Sequence, residues 1–340
     1  MKAIVFNAAE NKLALKDVAD PELEGDYVAV LVKVEACGVC RTDLHVVDGE
    51  LAEPKVPVIP GHQVVGRVVA VHGAASAVAK SHLQLGDRVG LAWLASTCGS
   101  CDYCLRGQEN LCDKPLFNGY TKDGGFAELV AARADFCFKL GEDIDPVSFC
   151  PLMCAGLIGW RSYKFAREAL RPGGRLGIYG FGSAAHILAQ MAKADGYKVS
   201  AFVRQGDEQA RAFALKEGVD FAGFSDELPP LLLDAAIIFA PAGALVPAAL
   251  KATKKGGMVV LGGIHMSDIP SFPYEIIWGE RSLKSVANLT REDGQEFFGM
   301  ITRGLIKIST QVDARPLAQA REALDDLRAG KVQGSLALIP

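Results

Sequence analysis

No stretch of this chain approaches the roughly 18 consecutive apolar residues that a membrane-spanning helix needs. Positive charge is not in excess either. Lys and Arg number 36 against 40 Asp and Glu, a formal net charge of -4, so the basic footprint of a nucleic-acid binder is missing. The opening Met1-Lys2-Ala3-Ile4-Val5-Phe6-Asn7 is too short an apolar run for a secretory signal. Internal repeats and low-complexity linkers are lacking, and helical periodicity is scarce before about Leu140. These absences argue against a membrane or a nucleic acid as partner. They lead us to expect a cytoplasmic, soluble protein.

What is present is a globular balance, 50% hydrophobic and 22% charged over 340 residues, a length that suits two domains better than one. The nine cysteines are too many to ignore. In a large chain without a signal they point to metal binding or catalysis rather than to disulfides. The first part reads as strands, at Tyr27 to Val34, Val64 to Val71 and Asp87 to Leu91, bounded by Gly, Pro or Asp. The pattern changes near Asp145. Phe149 through Ala169 reads as one helix, stopped by Arg171-Pro172-Gly173-Gly174. Strands at Arg175 to Tyr179, Lys198 to Val203, Asp234 to Phe239 and Met258 to Leu261 then alternate with helices at Ala184 to Ala194, Asp207 to Glu217 and Leu245 to Thr253. That rhythm predicts a doubly wound parallel sheet. After Arg291 come two amphipathic helices, one at Leu317 to Arg328, and a last strand at Ser335 to Leu338.

Cys98, Cys101, Cys104 and Cys112 form C-x2-C-x2-C-x7-C. Four thiolates on so short a segment can wrap one tetrahedral Zn²⁺, and an all-sulfur set leaves no open position, which marks a structural ion. An iron–sulfur cluster is the competing reading. Further metal-ligating types lie at Cys40, His45 and His62, with Cys154 much later in the chain. A catalytic zinc needs three protein ligands and one open position, and Cys40, His62 and Cys154 would supply a Cys₂His set. Individually these residues are weak signals, since Cys is a common core residue and distance along the chain does not pair Cys154 with Cys40. Cys37 and Cys40 also form a C-x-x-C, the spacing of thiol redox sites, but no thioredoxin-like βαβ surrounds it.

Gly180-Phe181-Gly182-Ser183-Ala184-Ala185 follows a predicted strand and opens a predicted helix. It is a G-x-G-x-x-A dinucleotide loop, with Gly180 for the turn, Gly182 for approach to pyrophosphate and small Ala185 for helix–sheet packing. The next strand ends Phe202-Val203-Arg204-Gln205 with no carboxylate before Asp207. Arg204 stands where a ribose 2′-phosphate needs a cation, so NADP(H) is favoured over NAD(H).

Taken in order, the segment Ala36 to His45, Pro60-Gly61-His62, the four-cysteine lobe, Gly124-Gly125-Phe126-Ala127-Glu128, Cys154-Ala155-Gly156 and the dinucleotide loop resemble the zinc-dependent medium-chain alcohol dehydrogenases, over essentially the whole length. The resemblance implies an α/β fold. It would have a β-rich GroES-like catalytic domain over residues 1–152, carrying the structural zinc lobe 98–112, a Rossmann domain over 153–288, and a return to the catalytic domain over 289–340. The active site would lie in the cleft between them. It selects Cys40 rather than Cys37, completes the Cys40–His62–Cys154 trio, and makes Asp43 the residue that orients His62. It implies two Zn²⁺ per chain and a hydride transferred between NADP(H), or less favourably NAD(H), and an alcohol or aldehyde. Arg41 would face the cofactor pyrophosphate with Gly180, Gly182, Ser183, Ala185 and Arg204. Thr42 and His45 would relay the proton, and Leu51 and Trp93 would line the substrate pocket. A homodimer or homotetramer is the expected assembly. The family places Glu after Gly-His, and this chain has Gln63, a neutral amide and poorer ligand. Two other readings share the fold: a non-enzymatic cofactor- or zinc-binding relative, and a quinone or enoyl reductase without the zinc ligands.

Overall fold

The computed structural model describes residues 1–8, 10 and 12–340. It divides into two compact units, Met1–Cys154 with Thr290–Leu305 and Ser309–Pro340, and Ala155–Leu289 with Ile306–Ile308.

The first unit is built on the strand Ala29–Val39, whose alternating side chains bury Val30, Val32 and Val34 against the core. It pairs antiparallel with Gln63–His72, with Leu129–Arg133 and with the C-terminal strand Ser335–Ile339. Further strands extend these into a seven-stranded sheet. The C-terminal strand sets Leu336 opposite Val39 and Leu338 opposite Cys37, so the returning chain stiffens the end of the strand that leads into Cys40. The helix Arg291–Thr302 is capped by reciprocal bonds between Thr290 and Asp293. Its first residue is tied to the cysteine lobe, since Glu109 accepts from the Arg291 backbone N–H at 2.7 Å and from its guanidinium at 2.6 and 3.0 Å.

The second unit is a six-stranded parallel sheet flanked by helices. Its strands, in chain order, are Arg175–Tyr179, Lys198–Val203, Phe221–Phe224, Leu233–Ile238, Thr253–Leu261 and Ser282–Ser285. Side by side they run 3-2-1-4-5-6, the doubly wound order that the strand–helix rhythm predicts. The central strands are almost wholly buried, as sheets covered on both faces require. Phe221–Phe224 and Ser282–Ser285 were not evident from the sequence pattern. The first is short, and the second is an edge strand whose half-exposed Ser-Leu-Lys-Ser carries no apolar run. Among the described residues, no helix is long and apolar enough to cross a membrane.

One element differs in a way that matters for the site. The single helix expected over Phe149–Ala169 is broken into Pro146–Phe149, a 3₁₀ turn Cys150–Met153, and Ala155–Arg167. Pro151 has no N–H to continue an α-helical ladder. Cys154, at φ -127° and ψ -69°, is the non-helical residue at the break.

Candidate functional site

Cys40, His62 and Cys154 arrive from three separate elements of the first unit. Their ligand atoms lie within 4.8 Å of one another. Cys40 is the extended residue that caps the helix Arg41–Val47. Asp43, three residues on, reaches back so that its Oδ2 accepts from the Cys40 N–H at 2.9 Å, and its Oδ1 lies 3.3 Å from Nδ1 of His62. His62 is fully buried. The segment before it is clamped to residues 124–126, with Gly125 N–H donating to the Gly61 carbonyl at 2.8 Å and Phe126 N–H to that of Pro60 at 2.9 Å. This contact explains the glycine at 124, while at Gly125 a Cβ would meet the Val64 side chain at 2.2 Å. A Cβ at Gly124 would sit 1.9 Å from the Gly61 oxygen, and Gly61 itself holds φ +94°.

The donor set fits one metal ion. A tetrahedral centre with Zn–S near 2.3 Å and Zn–N near 2.0 Å separates sulfur from nitrogen by about 3.6 Å. Cys40 Sγ and His62 Nε2 stand 3.4 Å apart. Nε2 faces the sulfur, so the ring's other nitrogen is left to Asp43, which is how ligating imidazoles are held. The Asp43 Oδ1 and His62 Nδ1 atoms are buried and have no other hydrogen-bond partner among the described residues. The three side chains and Asp43 perturb one another strongly. The hydrogen bond to Cys154 and burial push the Cys40 thiol well above its ordinary pKa. Burial would lower His62, but the Cys40 and Asp43 charges outweigh it and raise the imidazole to about 10. A divalent ion bound by these three side chains would displace the protons.

In the lobe the four cysteine sulfurs also lie within 4.8 Å of one another. The sulfur of Cys98 is 3.5 Å from that of Cys112 and 4.0 Å from that of Cys104, bracketing the roughly 3.8 Å edge of a ZnS₄ tetrahedron. Sulfurs so close-set could enclose one ion and leave no room for a multi-iron cluster. Backbone amides of Cys101 and Lys114 donate to Cys98 and Cys112 at 3.3 and 3.4 Å. Amides of Ser100 and Cys101 pull the Cys98 thiol down to about 6, toward the thiolate a metal binds.

Thr42, Asp43 and His45 are all buried on the helix Arg41–Val47, with Thr42 and His45 one turn apart on the same side. Arg41, the first residue of that helix, is exposed. The Trp93 indole packs edge-on against His62 at 4.9 Å, and Leu51 packs into the same apolar cluster with Phe6, Val46 and Val58. Two members of this cluster escaped sequence reasoning. Phe117, at the end of the two-residue strand Leu116–Phe117, and Tyr120 in the turn after it stack on Trp93 at 5.2 and 5.7 Å, and no periodicity marks them. Gln63 is buried opposite Gly38, where a Cβ would come within 3.0 Å of its side chain. The remaining cysteines, Cys37, Cys137 and Cys150, are buried free thiols. Burial raises all three, Cys137 to about 12, which leaves Cys37 a poor redox nucleophile.

In the second unit the loop Gly180–Gly182 joins the strand Arg175–Tyr179 to the helix Ser183–Ala194. Gly180 holds φ +87°, and a Cβ there would meet Ala240, while Gly182 faces open space and leaves room for a ligand. Ala185 is buried. Arg204 is exposed just beyond the adjacent strand Lys198–Val203, beside the glycine loop at the same end of the sheet. Asp207, the next acid along the chain, caps the following helix by accepting from the Ala210 N–H at 2.9 Å.

Comparison with known proteins places this architecture. The model of the alcohol dehydrogenase GroES-like domain matches residues 26–142. A probable alcohol dehydrogenase, AdhA, of Mycobacterium tuberculosis is 46% identical over 311 residues, covering 91% of this chain and 88% of its own. An alcohol dehydrogenase of Geobacillus stearothermophilus is 38% identical, covering 99% of this chain and 98% of its own. Among solved structures, a cinnamyl alcohol dehydrogenase of Sorghum bicolor superimposes with a TM-score of 0.87 at 25% identity, covering 99% of this chain and 97% of its own. The chain belongs to the zinc-dependent medium-chain alcohol dehydrogenase family. It is an oxidoreductase of the alcohol dehydrogenase type.

Proposed function

We propose that this protein oxidises alcohols and reduces aldehydes through a zinc ion held by Cys40, His62 and Cys154, with NADP(H) as the preferred hydride carrier. The observation that carries the reading is the convergence of those three side chains, with Asp43 behind His62. A quinone or enoyl reductase of the same fold has no need of such a set. Zinc there supplies a Lewis acid for the substrate oxygen. The nicotinamide supplies the hydride.

The protein's own residues do the rest. Asp43 fixes the His62 ring. Thr42 accepts the proton of the alcohol and passes it toward His45 in the oxidation direction. Trp93, Leu51, Phe117 and Tyr120 give the substrate an apolar wall. Gly180, Gly182, Ser183 and Ala185 bring backbone against the cofactor pyrophosphate. A second Zn²⁺ in the four-cysteine lobe is structural.

The cofactor preference rests on Arg204. A ribose 2′-hydroxyl is best received by a carboxylate, whereas a 2′-phosphate calls for a guanidinium. Asp207, the first acid along the chain after Arg204, is engaged as a helix cap. A charge-assisted bond contributes about 1.5–3 kcal/mol, so NADPH should exceed NADH in kcat/KM by about tenfold to a hundredfold. Arg204→Asp should reverse that ratio mainly through KM, because the 2′ group is remote from the hydride and binds ground and transition states alike. Paired kinetics with both cofactors check this. A wild type that prefers NADH would reduce Arg204 to a solvated surface charge.

A further inference from the structure

The helix that carries Thr42 and His45 ends in a way that gives His45 a second partner. Beyond Val47 the chain runs Asp48-Gly49-Glu50, with Gly49 in the left-handed region at φ +73°. The Glu50 N–H donates to the His45 carbonyl at 2.9 Å and the Gly49 N–H to that of Val46 at 3.3 Å. These are the two bonds of a Schellman motif, in which the residue after the glycine folds back over the one three places before the cap. The two side chains so placed usually make an apolar contact. Here they are a carboxylate and an imidazole, and Glu50 Oε2 meets His45 Nδ1 directly. The other carboxylate of the turn, Asp48, is paired with Arg328 at 2.7 Å. The His45 side chain is 8% exposed and that of Glu50 45%, so the pair runs from the buried ring to water.

A carboxylate only accepts, so the proton on the neutral ring must sit on Nδ1, and Nε2 carries the lone pair. We propose that Glu50 is a positioning residue for proton transfer. It fixes the His45 tautomer so that Nε2 is the basic nitrogen, and its charge stabilises the imidazolium formed when the proton released by the alcohol reaches Nε2. In that step an N–H bond forms at Nε2, the Nδ1–H bond to Glu50 is kept, and the positive charge on the ring faces the carboxylate. In aldehyde reduction the same proton returns. The inference rests on the reading of His45 as the end of the relay.

Two measurements on the metal- and cofactor-loaded protein test it. The first is the nitrogen NMR spectrum of histidine-labelled protein, with the His45 signals assigned by their loss in His45→Gln. Wild type should show the Nδ1–H tautomer, and Glu50→Leu, which keeps an apolar contact suited to the Schellman turn, should lose it. The second is steady-state alcohol oxidation. Glu50→Leu should lower kcat about tenfold with both KM values within about twofold, and Glu50→Asp should restore part of the loss. Glu50→Leu combined with His45→Gln should be no slower than His45→Gln alone. An Nε2–H tautomer in wild type would overturn the proposal. So would an unchanged kcat in Glu50→Leu beside an impaired His45→Gln, and neither result touches the relay reading. If His45→Gln turns over as fast as wild type, the relay reading fails and the role of Glu50 falls with it.

Discussion

Replacing Cys154 with Ala is expected to remove one zinc ion per chain and nearly all turnover while the fold survives. Structural zinc sites bind with about 10–16 kcal/mol shared among four ligands, or roughly 3–4 kcal/mol per ligand. At 1.4 kcal/mol per tenfold, losing one ligand weakens the site by a factor on the order of 10² to 10³. Cys40 and His62 remain, 3.4 Å apart, but two donors do not hold the ion against dilution or buffer. Alcohol oxidation should therefore fall by about a thousandfold. The fold should persist because Cys154 is only partly buried and lies at a break between helices rather than inside one. The four-cysteine lobe shares no ligand with this site and should keep its ion. Elemental analysis, circular dichroism and kinetics on the same preparation check all three. A variant that keeps its metal content and its turnover would sink the assignment of Cys154.

Gly124→Ala should do comparable damage without touching a ligand. The added methyl would lie 1.9 Å from the Gly61 carbonyl oxygen and 2.8 Å from Gly119 Cα, both backbone atoms that cannot swing aside. Relief requires separating the two segments, which breaks the bond from Gly125 N–H to Gly61 and shifts His62, the next residue. Overpacking of this kind costs about 1–3 kcal/mol, and the lost bond adds about 1 kcal/mol. For a unit of this size each kcal/mol lowers Tm by roughly 2–4 °C, so a fall of about 4–16 °C is expected, with weakened metal retention at Cys40, His62 and Cys154. Gly299→Ala is the control. Gly299 lies in the helix Arg291–Thr302, and a Cβ there meets nothing within 4 Å, so Ala should stabilise by up to about 1 kcal/mol. Thermal melts of the two variants side by side separate a glycine needed for close approach from one that is not.

The sequence was most legible where a function is local. Four cysteines in one short stretch announce a metal lobe, and a glycine-rich turn between a strand and a helix announces a nucleotide loop. Three parts of the site depend on contacts between distant segments, which residue spacing and periodicity do not reveal; Cys154 as a partner of Cys40 and the Gly124-Gly125 pair enter only through the family resemblance. Cys154 reads as part of a helix, and only the 3₁₀ turn at Pro151 shows how it leaves the helical path to meet Cys40. The physical reason for the two glycines is visible only in the fold, where a Cβ at Gly124 would meet the Gly61 carbonyl and one at Gly125 the Val64 side chain. Phe117 and Tyr120 join the wall beside His62 through stacking on Trp93, which neither spacing nor periodicity reveals. Glu50 is an intermediate case. The run Asp48-Gly49-Glu50 after a helix is a readable stop signal, but its meeting with His45 follows from the turn geometry.

The most direct test of the zinc centre is anomalous X-ray diffraction at the zinc edge from crystals of the protein purified with zinc. Two peaks per chain are expected. One should lie among Cys98, Cys101, Cys104 and Cys112, and the other among Cys40 Sγ, His62 Nε2 and Cys154 Sγ, with sulfur at about 2.3 Å and nitrogen at about 2.0 Å. A single peak confined to the lobe, with Cys40, His62 and Cys154 bare in zinc-saturated crystals, would contradict the account.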